Sequence, residues 1–166
     1  LEALAEAHDR VEFSCGEEVL DRYLQTQVGQ DIRRNITNCF VAIEAASGRL
    51  AGYYTLAACS IPTPDMPASL TRKLPRYPSV PAVRIGRLAV DTRFHGRGLG
   101  AALLGDATLR TVSSAPAAYA LVVDAKHDKA VAFYEHHGFL NFASKERTLF
   151  LPLATAAKVF VITAKS

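Results

Sequence analysis

The segment that most restricts this chain is His95-Gly96-Arg97-Gly98-Leu99-Gly100, set between an apolar run ending at Val90 and a second apolar stretch reaching Val112. Ordering glycine costs more backbone entropy than ordering any other residue, and a structural helix start needs only one Ser, Thr, Asp or Asn cap. Glycines let the backbone approach a ligand with no Cβ in the way. A helix N-terminus adds free N–H groups and a partial positive charge, so a strand–glycine–helix junction suits a phosphate. A nucleoside-triphosphate loop is excluded, because no Lys-Ser or Lys-Thr follows the glycines. A dinucleotide fingerprint fits better, with Gly96, Gly98 and Ala101 matching G-x-G-x-x-A and Asp124 at the end of the next strand. Against it, Asp91 to His95 separate the strand from the first glycine, and too little sequence follows for a second nucleotide-binding half. On the turn alone, that reading and a merely structural glycine start both stay open.

The 166 residues predict a single domain spanning 1–166, and 49% hydrophobic with 21% charged residues is a globular balance. The apolar tail 159–162 falls far short of the ~20 residues needed to span a bilayer. No signal-peptide pattern is visible. Cys15, Cys39 and Cys59 are widely spaced and form no C-x-x-C pair, so neither a metal site nor a disulfide framework is expected, and a cytoplasmic location is. Net charge is only +3, but residues 66–90 contain no Asp or Glu while carrying Arg72, Lys73, Arg76, Arg84 and Arg87. Such a one-signed block either concentrates an anionic partner or is an ordinary solvated face.

Apolar spacing predicts helices over 16–24 and 28–35, a hairpin of strands 39–45 and 50–59 turning at Ser47-Gly48, and a long proline-punctuated connection with one helical turn near 68–73. A buried strand 82–90, a helix 98–112, a strand 118–123, a helix 128–137 capped by Gly138 and a strand 148–152 follow. This alternation predicts an α/β (α+β) chain whose central sheet has a parallel core flanked by helices.

The run Leu88-Ala89-Val90-Asp91 followed by H-G-R-G-L-G and an apolar helix resembles motif A of the GNAT superfamily of acetyl-CoA-dependent N-acetyltransferases. Residues 130–139, A-V-A-F-Y-E-H-H-G-F, resemble motif B of the same superfamily, in the right order and at the usual separation. The resemblance implies a GNAT fold, a mixed sheet in which two parallel strands splay around acetyl-CoA. Backbone groups of Leu88, Ala89 and Val90 would meet the pantetheine arm. His95, Gly96, Arg97, Gly98, Leu99, Gly100 and Ala101 would hold the pyrophosphate, and Phe133 would line the donor site. His95 stands where the family usually has Gln or Arg. Tyr134 would be the catalytic acid that meets the departing thiolate, and no metal is implied. If neither pKa is perturbed, full proton transfer from phenol to thiolate is uphill by about 2 kcal/mol.

Many family members carry a Glu on the central strand to deprotonate the amine, whereas Val83-Arg84-Ile85-Gly86-Arg87-Leu88 has no carboxylate. A lysine amine is only ~0.05% neutral at pH 7, but an α-amine is already ~10% neutral. The strand therefore favours an α-amino acceptor, and the basic surroundings favour an anionic carrier. Segments such as Phe13-Ser14-Cys15-Gly16, Gly52-Tyr53-Tyr54-Thr55-Leu56, Leu74-Pro75-Arg76-Tyr77-Pro78 and Arg147-Thr148-Leu149-Phe150-Leu151-Pro152 resemble the GNAT-type toxins of bacterial toxin–antitoxin pairs over nearly the whole chain. That resemblance implies acetylation of the α-amine of aminoacyl-tRNA, a block of translation and a homodimer. It also implies a ribbon-helix-helix antitoxin, with operator DNA bound only through that antitoxin. Arg33, Arg34, Arg72, Lys73, Arg76, Arg84 and Arg87 are the expected tRNA contacts. No aromatic–basic interleaving is evident, so recognition of shape and the acceptor end is expected. An acetyltransferase of small amines or protein N-termini, and a non-catalytic acyl-CoA-binding module, are the alternatives.

Overall fold

The computed structural model describes residues 1–156, so the tail 159–162 lies outside the described residues. None of the described helices is long and apolar enough to cross a membrane. In chain order the elements are β1 (Glu2–Ala3), α1 (Glu18–Arg22), α2 (Val28–Arg33), β2 (Asn38–Ile43), β3 (Leu50–Pro62), α3 (Ala68–Thr71), β4 (Ser79–Val90), α4 (Leu99–Val112), β5 (Ala120–Asp124), α5 (Asp128–His136), β6 (Leu140–Asn141) and β7 (Thr148–Pro152). The strands make a seven-stranded mixed sheet in the order β1-β2-β3-β4-β5-β7-β6. Two compact units divide the chain: Leu1–Ala57 with Ile85–Ala107, and Ala58–Arg84 with the chain from Thr108 on.

In the first unit β2 and β3 form the expected antiparallel hairpin, from Asn38↔Leu56 to Ile43↔Leu50, closed through Gly48 at φ +73°. The two helices expected near the N-terminus are one helical run, because Tyr23–Gln27 continues α1 as a π-helical turn and leads directly into α2. That wider turn keeps Leu20, Tyr23, Leu24 and Val28 together in one core with Phe13, Cys39, Val41, Leu50, Tyr53 and Ala89. Polar ends within this core are satisfied. The Tyr53 hydroxyl donates to the Leu20 carbonyl at 2.8 Å, and the Tyr23 hydroxyl donates to Asp31 at 2.8 Å. Tyr54 on β3 donates to Asp106 on α4 at 2.6 Å.

In the second unit β5 and β7 pair antiparallel along their whole length, from Ala120↔Pro152 to Asp124↔Thr148, and β6 flanks β7. Ile61, Met66, Val80, Ala82, Ala120, Val122 and Phe150 form its core. The proline-rich connection is shorter than expected, since β3 runs on to Pro62 and β4 begins at Ser79. The helical turn within it is α3. β1 and β6 have two residues each, too few to show a period of two in sequence.

Candidate active site

The gap between β4 and the glycines is a built corner. Asp91 is fully buried and accepts the backbone N–H of Ser14 at 3.1 Å and that of Arg93 at 2.9 Å. The Arg93 guanidinium grips both of its oxygens, through Nε at 2.9 Å and Nη2 at 2.8 Å. Burial alone pushes this carboxyl up, but the Arg93 and Ser14 hydrogen bonds outweigh it and hold Asp91 at about 2. Its folded pKa is thus below the unfolded value, so the charged form stabilises the fold. That contribution of about 2 kcal/mol is complete above pH ~4 and lost as pH falls toward ~2. Urea melts across that window should show the loss, and D91N should flatten it. Arg93 lies within two residues of the expected phosphate-side position, yet it is engaged by Asp91 and Glu12.

His95 follows this corner, and its Nε2 lies 2.7 Å from the Val90 carbonyl oxygen. The ring therefore ties the turn back to the end of β4. Gly96 and Gly98 adopt φ +76° and +75°, and no atom lies within 4 Å of where a Cβ would sit on either. This left-handed backbone is costly for any residue with a Cβ, and the open face is the space a phosphate would fill. The turn thus fits the pyrophosphate of acetyl-CoA: an open backbone running into the N-terminus of the 14-residue α4. G98A should cost the fold about 1–2 kcal/mol, from the left-handed backbone alone, because a Cβ there meets nothing. It should raise the acetyl-CoA Kd at least ~10-fold by calorimetry. An unchanged Kd would remove the turn from donor binding.

In the second unit α5 is capped by His127, whose Nδ1 accepts the Ala130 N–H at 3.1 Å, and Gly138 turns the chain just beyond its end at φ +91°. Tyr134 is the buried residue of this short helix. Its ring meets Phe133 edge-on at 5.2 Å and Phe139 at 5.3 Å. Among the described residues no partner takes its hydroxyl. Burial pushes the phenol up to about 12. The reference pKa used for the two-kilocalorie expectation therefore does not apply. Complete transfer from such a phenol to a thiolate of pKa ~8.5 would be uphill by about 5 kcal/mol, so a hydroxyl here is suited to donating a hydrogen bond rather than a whole proton.

The cations divide into two sets. Arg84 is ion-paired with Asp124, which also accepts the Thr148 hydroxyl at 2.9 Å. Arg87 lies 3.4 Å over the Tyr23 ring. Both therefore have internal partners. Arg33, Arg34, Arg72, Lys73 and Arg76 are exposed, with no carboxylate partner among the described residues. Sequence reasoning overlooked Asp91 and Asp124 as anchors; only an acidic residue closing each apolar strand hinted at them. All three cysteines are free thiols, and burial pushes each one up, Cys39 to about 12.

An open glycine turn at the head of α4 in the first unit, and a buried tyrosine on a capped helix in the second, are features that an acyl-CoA-dependent transferase would use. The chain belongs to the acetyltransferase (GNAT) domain family, whose model matches residues 6–149 and so crosses both units. It is 39% identical over 138 residues to the tRNA-acetylating toxin of Mycobacterium tuberculosis (strain ATCC 25618 / H37Rv), covering 82% of this chain and 81% of the relative. The solved structure of AtaT complexed with acetyl-methionyl-tRNAfMet superposes with a TM-score of 0.87 at 31% identity, covering 96% of this chain and 97% of the other. AtaTR bound with AcCoA has a TM-score of 0.81 at 31% identity, covering 96% of each chain. A tyrosine-to-phenylalanine mutant of AtaT has also been solved with the C-terminus of the antitoxin AtaR, and the AtaT–AtaR complex has been solved bound to DNA.

Proposed function

We propose that this chain is a toxin that transfers acetyl from acetyl-CoA to the α-amine of aminoacyl-tRNA and so blocks translation. The observation that carries this reading is the exposed set Arg72, Lys73 and Arg76. They lie on a segment with no carboxylate and have no anionic partner among the described residues. Cations left unpaired by the protein are available to a polyanion. The relatives that acetylate tRNA, and AtaT with its acetylated product, support the same reading.

Acetyl-CoA supplies the acetyl group as a thioester. Backbone N–H groups of residues 96–101 hold its pyrophosphate, and the backbone of Leu88, Ala89 and Val90 aligns the pantetheine arm and polarises the acetyl carbonyl. Phe133 lines the donor site. The neutral α-amine attacks the carbonyl carbon, the N–C bond forms and the C–S bond breaks. The amine's proton passes to solvent, and the Tyr134 hydroxyl donates a hydrogen bond to the leaving sulfur. No carboxylate base lies on β4. An α-amine, already partly neutral at pH 7, does not require one.

Arg33, Arg34, Arg72, Lys73 and Arg76 bind tRNA phosphates, while Arg84 and Arg87 present surfaces already braced by Asp124 and Tyr23. The chain works as a homodimer in the cytoplasm. A ribbon-helix-helix antitoxin neutralises it and carries it to operator DNA, consistent with the AtaT–AtaR complexes. The test uses labelled acetyl-CoA with charged and uncharged tRNA. Label should enter charged tRNA alone. Label on neither, with turnover of small amines or protein N-termini, would overturn the reading.

A further inference from the structure

The loop that carries the unpaired cations also carries an aromatic ring. Tyr77 is 61% exposed, although large aromatic side chains are usually buried. Its position is set by the backbone. Pro75 and Pro78 flank it and fix φ on both sides. The Tyr77 N–H donates to the Pro75 carbonyl at 2.7 Å. The Thr63 hydroxyl donates to the Tyr77 carbonyl at 3.0 Å, and the Thr63 N–H donates to the Pro78 carbonyl at 3.0 Å. Leu70 and Leu74 press the other side of the segment onto the core of the second unit. With its apolar side anchored, the segment leaves Arg72, Lys73, Arg76 and Tyr77 all exposed. Arg76 and Tyr77 are adjacent and both are exposed.

We infer that Tyr77 is a stacking platform for an unpaired base in the single-stranded acceptor end of the tRNA, with Arg72, Lys73 and Arg76 holding the flanking phosphates. This rests on the proposed tRNA acetylation and names how that substrate is positioned. An exposed ring on a braced backbone loses little entropy on binding. Every base offers a π-face to it, so the contact tolerates sequence variation while fixing the strand end. A segment that carries three exposed cations and no carboxylate from 66 to 90 favours a nucleic acid strand over an apolar or basic peptide.

The experiment compares wild type, Y77A and Y77W on charged tRNA and on an amino acid methyl ester. It also follows fluorescence of charged tRNA carrying 2-aminopurine as its terminal base. Y77A should raise KM for charged tRNA about 10- to 100-fold, leave methyl-ester acetylation and melting temperature unchanged, and abolish the stacking quench. Y77W should restore both KM and quench. The salt slope of KM should stay that of wild type, because no phosphate contact is lost. An unchanged KM and quench in Y77A, with wild type acetylating tRNA, would overturn the stacking role alone. So would a Y77A effect confined to neutralisation by the antitoxin, which would assign the ring to a protein partner. No acetylation of tRNA by wild type would overturn the functional reading as well.

Discussion

Y134F should lower kcat on charged tRNA by 10²-fold or more while leaving acetyl-CoA affinity within about twofold. Only the hydroxyl is removed: the ring contacts with Phe133 and Phe139 remain, and the hydroxyl has no partner among the described residues whose loss would disturb the fold. A loss confined to kcat marks an interaction made only as the thiolate departs. The pH profile sharpens this. The phenol acts in its protonated form, and burial holds it protonated until about pH 12. Wild-type turnover should therefore show no alkaline fall from Tyr134 below about pH 11. Near-normal turnover in Y134F, or an alkaline limb near pH 10 that the substitution removes, would contradict the hydrogen-bond role assigned here.

Replacing Arg72, Lys73 and Arg76 together by Glu should reduce kcat/KM for charged tRNA roughly 10²-fold or more at 0.15 M salt, with acetyl-CoA affinity unchanged. Each phosphate contact adds close to one unit to the logarithmic salt slope, so the neutral triple Gln variant should show a slope shallower by about 2–3. These side chains are exposed, and no described residue depends on them for an ion pair, so the fold should be preserved. Surviving tRNA acetylation with an unchanged slope would reduce the segment to a solvated face.

How much was legible depended on how local the signal was. α4, α5 and β7 fall within two residues of their expected bounds, because each is long or strongly apolar and closed by a glycine, a proline or a cap. The continuous 18–33 helix was not legible. A π-helical turn shifts the apolar positions out of register with a 3.6-residue period, so the run reads as two helices. The roles of Arg84 and Arg93 were not legible either. In sequence both are cations near the glycine turn; Arg84 is engaged by Asp124, forty residues away, and Arg93 by Asp91, whose nearness in sequence does not show that the folded corner buries it against the guanidinium.

The glycine turn, the motif-B helix with Tyr134 and the acid-free stretch 66–90 are properties of contiguous residues. The sequence by itself therefore determined the family, the donor and the absence of a carboxylate base on β4. Tertiary structure decided which charged and aromatic groups are free to act. Burial pushes the Tyr134 phenol up to about 12, which favours hydrogen-bond donation over full proton transfer in the role proposed for it. Anchoring of Leu70 and Leu74 on the core left Tyr77 and its neighbouring cations facing solvent. Desolvation and pairing depend on what the folded chain brings alongside a residue, and no window of sequence contains that information.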